Sequence, residues 1–374
     1  MGVMSTLLLS LFLAQGVSDD AVLIGMEGHT GSFSVDEENL GMRLVIADVN
    51  ESGGIHGRQL VEKSYPRDQE NYADKQMANA RRLVEEDGVF LLFNFGGPVS
   101  PRLGDYAMEN GVPYMFPHTA LLTVDNSRYV YTSYPRYEGE TKVMLRYLAE
   151  EIGVKRLGVL YASNAYGHYF ASRAQVFSDE LGYEVVGLQD LPRGAETATT
   201  QMATLREADP DALLIALYPS GARRVIETKA GMKWDVRLVS SGPLTDEQYF
   251  NIEGGHAEGT LGFCHYPDPN ESEEPGIVEY RRLMARHFPG HEMNRYSLYG
   301  YVFGRLVVEG LLRAGRDLTR DRYAESMESI RGWQSGGIMP PVDFSPSDHH
   351  AQDAGFICEL KDGRFRPRSG WIAP

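Results

Sequence analysis

The chain has 374 residues, 42% of them hydrophobic, and a formal net charge of −16. That length allows two to three domains with ample core, and the acidic balance excludes nucleic acid and anionic membranes as natural partners, since both attract basic surfaces. No run after residue 20 is long and apolar enough to span a bilayer.

In chain order, the first feature is the apolar stretch STLLLSLFLAQG, too short for a membrane helix and ending in the small-x-small pattern Ala14-Gln15-Gly16. It reads as a secretory signal peptide over residues 1–16, with export to the periplasm. No cysteine follows the leader directly, so no lipid anchor is expected there.

The mature chain then alternates short apolar runs with helical patterns. AVLIGM is a strand, and ENLGMRLVIADVN has apolar residues at helical spacing. Gly53 and Gly54 stand where a left-handed helix end is wanted, so DVNESGGIHGRQLVEKSYPRD is a corner between a helix and a strand and not a phosphate loop. YADKQMANARRLVEEDG is a second helix and VFLLFNF a third strand, completing βαβαβ. The alternation resumes at RLGVLYA, YEVVGLQ, DALLIALYP and VRLVSS. Two such series predict an α/β protein with two doubly wound parallel sheets.

Doubly wound sheets bind ligands at the loops beyond the carboxyl ends of their strands. Those loops are Glu27 to Phe33, Asn94 to Ser100, Pro117 to Thr123, Tyr161 to His168, Leu217 to Ala222 and Ser241 to Glu247. The first has glycines at 25, 28 and 31, a GxxGxxG spacing that does not match a dinucleotide fingerprint, and no acid ends the following strand. Its N–H groups are nonetheless candidates to receive a carboxylate. The sequence contains no GxSxG, HExxH or GxxxxGK[ST] motif, so no enzymatic signature is present and no cofactor is expected. Asp348, His349 and His350 in SPSDHHAQD read as a polar turn, because adjacent strand residues point opposite ways; no metal site is expected. Cys264 and Cys358 form no CxxC pair, and whether they bond to each other stays open.

The order of GMRLVIADVNESGGIHGRQL, FGGPVSPRLGDYAMENGVPYMFP, YASNAYGHYF, ADPDALLIALYPSGA and YGYVFGRLVVEGLLRAGRDLTRDRY resembles the solute-binding proteins of ABC importers for branched-chain amino acids. The resemblance spans nearly the whole mature chain. It implies a type I periplasmic binding protein: two α/β lobes joined by three hinge crossings, closing on a small molecule and docking as a monomer on a membrane permease. A ligand sensor working through a separate receptor is the alternative. With crossings near Arg136, Gly262 and Pro341, lobe 1 comprises residues 17–135 and 262–341, and lobe 2 residues 136–261 and 342–374.

The resemblance also directs attention to particular residues. Lobe 1 would offer Phe33, Gly97, Ser100, His118 and Thr119, while Tyr166 and Tyr218 would form aromatic walls from lobe 2 and Arg136 would stand beside them. The acid expected to pair an α-ammonium falls near Pro243, with Asp246 and Glu247 a few residues on. An enclosed ammonium needs such a partner, and its absence from that position extends the ligand class from aliphatic amino acids to aromatic and other organic acids. The expected ligand is a small carboxylate with an apolar or aromatic body.

Overall fold

The structure is a computed structural model that describes residues 15–67, 72–120, 127–246 and 254–374. Apart from Gln15 and Gly16, the expected leader lies outside the described residues, as do Thr123 and Glu247 of the candidate loops.

Five short parallel strands build the first sheet: β1 (Ala21–Glu27), β2 (Gln59–Tyr65), β3 (Leu91–Phe93), β4 (Tyr114–Met115) and β5 (Val130–Tyr131), in the order β2-β1-β3-β4-β5. Helices α1 (Phe33–Glu51), α2 (Tyr72–Glu85) and α3 (Ser100–Glu109) connect them. The second sheet has the order β12-β11-β10-β9-β8-β6-β7, where β6 (Arg156–Ala162), β7 (Glu184–Leu191), β8 (Ala212–Ala216), β9 (Arg237–Ser240) and β10 (Leu261–Cys264) run parallel. The hairpin of β11 (Phe356–Lys361) and β12 (Arg364–Pro367) adds to its edge antiparallel. Around it lie α4 (Tyr137–Tyr147), α5 (Ala165–Val176), α6 (Ser178–Leu181), α7 (Thr199–Glu207) and α8 (Pro219–Gly231). The chain then returns to the first sheet as α9 (Pro275–His287), α10 (Arg295–Ala314) and α11 (Arg320–Glu328).

Each sheet is central to its own apolar core, and the membership of these cores shows where the chain crosses. Leu157, Leu214, Val239, Phe263 and Ile357 pack together, whereas Ile24, Phe93, Phe303, Val342, Phe344 and Ala351 belong to the other core. The first crossing therefore spans 132–136, with Arg136 capping α4. The second follows Cys264, because β10 pairs on both sides within the second sheet, so the division expected at Gly262 falls inside a strand. The third lies beyond Ala351 and not near Pro341. Residues 342–351 stay with the first sheet because Phe344 packs on Tyr131 and the backbone of Thr132 exchanges hydrogen bonds with His349 and Ala351.

Two glycine contacts matter for placing the site. At the corner, Gly54 has φ +80°, its N–H reaches the Val49 carbonyl, and a Cβ there would sit 2.1 Å from the Arg58 carbonyl oxygen. Between α1 and α10, a Cβ on Gly300 would come within 1.8 Å of the Glu38 carbonyl oxygen. Lacking side chains at Gly41 and Gly300, the helices touch backbone to backbone, and this seats Glu38 deep under the lobe boundary.

Cys264 and Cys358 form a disulfide across β10 and β11, with Cα atoms 5.9 Å apart. It ties the strand entering the second crossing to the strand leaving the third.

Candidate functional site

In the first sheet the strand order reverses direction between β1 and β3, and in the second between β6 and β8, the switch points outside which doubly wound sheets bind ligands. From lobe 2 come three adjoining tyrosines. Tyr166, in the first turn of α5, stands 5.3 Å from Tyr137 and 5.5 Å from Tyr218 between ring centroids. Tyr166 shares a hydrogen bond with Ser241 Oγ and is buried; Tyr218 is 49% exposed, its hydroxyl accepting from Asn164. The Tyr137 hydroxyl meets the Ala120 backbone, and Tyr72 of lobe 1 lies close enough to Tyr218 and Arg193 of lobe 2 to feel their charges.

Lobe 1 supplies the opposite wall. Phe33 opens α1, 37% exposed and edge-on to Tyr296 at 6.1 Å. Gly97 begins a tight turn with φ +71°, and its N–H is spent on the His118 carbonyl. His118 is half-buried, while Thr119 is buried and turns its N–H to the Pro117 carbonyl. Two expected site residues lie elsewhere. Ser100 is fully buried beside the Tyr114 hydroxyl, on the core side of the Gly97 turn. Arg136 is a hinge residue: Asp353 accepts from its N–H at 2.8 Å and from its guanidinium at 2.5 Å, because the third crossing returns alongside the start of α4. The β1 loop also departs from expectation. Three of its N–H groups are already used, since Gly28 donates to the Tyr65 carbonyl, Thr30 to Asp36 Oδ1 and Ser32 to the Thr30 hydroxyl.

The most buried chemistry sits at the hinge end of the cleft, around Tyr134 in the first crossing. Its ring is edge-on to two imidazoles, His118 at 5.1 Å and His265 at 5.5 Å. Behind each imidazole is a glutamate with no exposed surface. Glu38 Oε1 accepts from the Tyr134 hydroxyl at 2.8 Å and meets His118 Nδ1 at 2.6 Å. Glu140 Oε1 accepts the Gly242 N–H at 2.6 Å, and its Oε2 lies 3.5 Å from His265 Nε2. Burial pushes the His118 imidazole down, but the Glu38 charge and hydrogen bond outweigh it and leave its pKa raised. A small cavity adjoins, lined by Tyr134, Gly242, His265, Tyr266, Tyr296 and Tyr299 among others.

Sequence reasoning missed Glu38, Tyr134, Glu140 and His265, although a signal existed for both acids. Glu38 precedes Gly41, Met42 and Val45 at the three-, four- and seven-residue offsets of one helix face, and Glu140 precedes Val143 and Met144 likewise. An acid on the apolar stripe of a helix is a buried acid. His350, read as part of a polar turn, is likewise buried and bonds Thr132 and Asp353 at the hinge.

Comparison with known proteins accords with this geometry. A family model described as periplasmic binding protein matches residues 21–364. The Leu/Ile/Val-binding protein homolog 7 of Brucella abortus is 23% identical over 352 residues, covering 88% of this chain and 86% of the relative. Among solved structures, a branched-chain amino acid ABC transporter protein from Thermus thermophilus with bound valine superposes with a TM-score of 0.83 at 17% identity, covering 97% of this chain and 98% of that one. A fatty acid ABC transporter substrate-binding protein from Thermomonospora curvata gives 0.80 at 19% identity, covering 96% and 92%. With the family model spanning most of its length and the two-lobe α/β fold matching throughout, the chain belongs to the periplasmic binding proteins, a family that binds solutes and does not transform them.

Proposed function

We propose that the chain is the substrate-binding component of an ABC importer, working in the periplasm as a monomer that encloses a small carboxylate between two closing lobes. The observation that carries this reading is the pairing of walls: the Tyr137, Tyr166 and Tyr218 rings on lobe 2 against the Gly97, His118 and Thr119 loops on lobe 1. Aromatic rings bury the body of an apolar ligand, and few polar groups remain to orient it. For the carboxylate, Arg67 is the available donor. It binds Glu27 at 2.7 Å through Nε, leaves Nη1 with no acceptor among the described residues, and lies under the Tyr72 ring at 5.0 Å.

The relatives' names bring branched-chain amino acids and fatty acids into view as ligand classes, and all of these carry a carboxylate and an apolar body. Lobe 1 in this reading is residues 17–135 joined by the returning segment, and lobe 2 is the remainder. The test is X-ray scattering of the purified protein with leucine, isoleucine, valine, benzoate and a hydroxycinnamate, each screened first by thermal shift. A ligand that raises the melting temperature should also contract the particle, and changing Tyr166 and Tyr218 together to alanine should weaken its binding without unfolding the chain. Stabilisation by a sugar alone, or a profile unchanged at saturation, would overturn the reading.

A further inference from the structure

Two of the three crossings run side by side, and one imidazole joins them. On the lobe 1 side the Thr132 N–H donates to the His349 carbonyl at 3.0 Å and the Ala351 N–H to the Thr132 carbonyl at 2.8 Å, so His350 is carried by the first sheet. On the lobe 2 side Asp353 accepts the N–H of Arg136, the residue capping α4, at 2.8 Å. Just beyond it Gly355 exchanges backbone hydrogen bonds with Ile372, which packs on the second core, so Asp353 is carried by the second sheet. His350 spans the two: its Nδ1 lies 2.8 Å from Thr132 Oγ1 and its Nε2 3.0 Å from Asp353 Oδ1. In this same arrangement the lobes touch, the Tyr296 hydroxyl of α10 donating to the Pro243 carbonyl beyond β9 at 2.9 Å.

Both charge states of the ring fit this bridge. A neutral imidazole with its proton on Nε2 donates to Asp353 and accepts the Thr132 hydroxyl at Nδ1. An imidazolium donates from both nitrogens, and a hydroxyl accepts as readily as it donates. No contact is lost when the ring charges, and the one to Asp353 gains ionised partners on both sides, which strengthens it. Histidine is the side chain whose charge changes between pH 5 and 8. The other charged groups around it divide by lobe. Arg136 faces the second oxygen of Asp353 from α4, on the lobe 2 side. Asp348, whose Oδ1 accepts the His350 N–H, and Glu328 of α11, 3.3 Å from the neighbouring His349, both stand on the lobe 1 side, where His349 lies stacked on the Tyr131 ring. A rotation of one lobe against the other therefore alters the surroundings of His350 chiefly at Asp353.

Resting on closure of the two lobes as proposed above, we propose that His350 is a proton-operated clasp of the hinge: charging its ring tightens the bond to Asp353 and draws the molecule towards the closed arrangement. Apparent affinity scales with the fraction of molecules competent to bind, so acidification strengthens capture through a residue outside the walls of the cleft.

The test reads the lobe separation of the ligand-free protein by single-molecule energy transfer between dyes on Asp105→Cys of α3 and Glu196→Cys beyond β7, both exposed positions. From pH 8 to pH 5.5 the ratio of near to far molecules should rise about threefold to tenfold. His350→Gln should hold the ratio constant over that range, as should Asp353→Asn, which keeps the acceptors and removes the charge, while His349→Gln should follow the parent. The midpoint of the distance curve should match the His350 ring titration followed by NMR. A parent ratio that does not change with pH, or a parent-like response in both His350→Gln and Asp353→Asn, overturns the clasp. Two separations at a fixed ratio overturn the clasp and leave closure standing; a single separation at every pH, unmoved by leucine or benzoate at saturation, overturns both.

Discussion

Two clusters of carboxylate and imidazole lie within the same lobe boundary and are built in opposite ways. At the hinge, Asp353 is saturated: it accepts the Arg136 N–H, the Arg136 guanidinium and His350 Nε2, and His350 in turn bonds Thr132. In the cleft, Glu38 and Glu140 are more deeply buried than Asp353, yet among the described residues each accepts hydrogen bonds through one oxygen only, the second oxygen of Glu140 lying 3.5 Å from His265 Nε2. A saturated acid holds structure together, because every donor it accepts lowers its own energy and fixes a segment. A half-used acid leaves the protein with an unmet demand, which a ligand of the right charge can satisfy.

The largest effect should come from the hinge side. The Cys264–Cys358 disulfide closes a loop whose ends are 94 residues apart, and that loop contains the whole excursion into lobe 1 through α9, α10 and α11. Chain-entropy arguments assign such a loop about 4–5 kcal/mol of stability. Changing both cysteines to serine should lower the unfolding free energy by about 3–5 kcal/mol, measured by denaturant titration. Ligand selectivity, by contrast, should be retained. If the double variant keeps its stability, the hinge is not a stapled structure.

Next comes Asp353. Burial alone would raise its pKa, but His350 and Arg136 hold the carboxyl down at about 2, against an ordinary 3.8. Since the folded value is depressed, the associated stability is fully present above about pH 4 and is lost as the pH falls through 2. One pKa unit corresponds to about 1.4 kcal/mol, so this arm is worth about 2–3 kcal/mol. Asp353→Asn should lose that amount at pH 7 and flatten the acid limb between pH 4 and 2, checked by unfolding curves across that range. A parent-like acid limb would mean that the hinge carboxylate is less engaged than its three donors imply.

The architecture was far more legible than the chemistry. Alternating apolar runs and helical spacing suffice for two doubly wound sheets, because parallel strands buried on both faces are bound to be continuous in valine, leucine and isoleucine. The corner at Gly53 and Gly54 was also readable, since left-handed helix ends favour glycine. The crossings were not. Val342, Phe344 and Ala351 are apolar residues suited to either core, and only tertiary contacts with Tyr131 and Thr132 assign them to the first. The buried acids were hidden for a different reason: Glu38 sits in the run Asp36-Glu37-Glu38, whose other two members are only partly buried and pair with His29 and His291, and only its helix face marks it. Glu140 escapes any search for an acid near Pro243, because it approaches that loop through space from α4.

The smallest effect, and the finest test of the contrast, concerns the cleft pair of His118 and Glu38. Its imidazole has a folded pKa above the ordinary 6.5, the opposite direction from Asp353, so the sign of its pH dependence is also opposite. The stability it contributes is present in full below about pH 6.5 and is lost as the pH rises through the raised folded value. His118→Gln should therefore abolish a mild alkaline weakening in the unfolding midpoint while leaving the acid limb, which belongs to Asp353, as it is in the parent. The ligand should modulate the same arm. A cationic group beside Glu38 weakens the field that raises His118, so a saturating ligand that carries one should shift the alkaline transition to lower pH, whereas a neutral or anionic ligand should leave it in place or move it upward. Measuring the imidazole titration of His118 by NMR with and without bound ligand distinguishes these cases, and a transition unmoved by a nitrogen-bearing ligand would show that Glu38 is as fully committed as the hinge carboxylate.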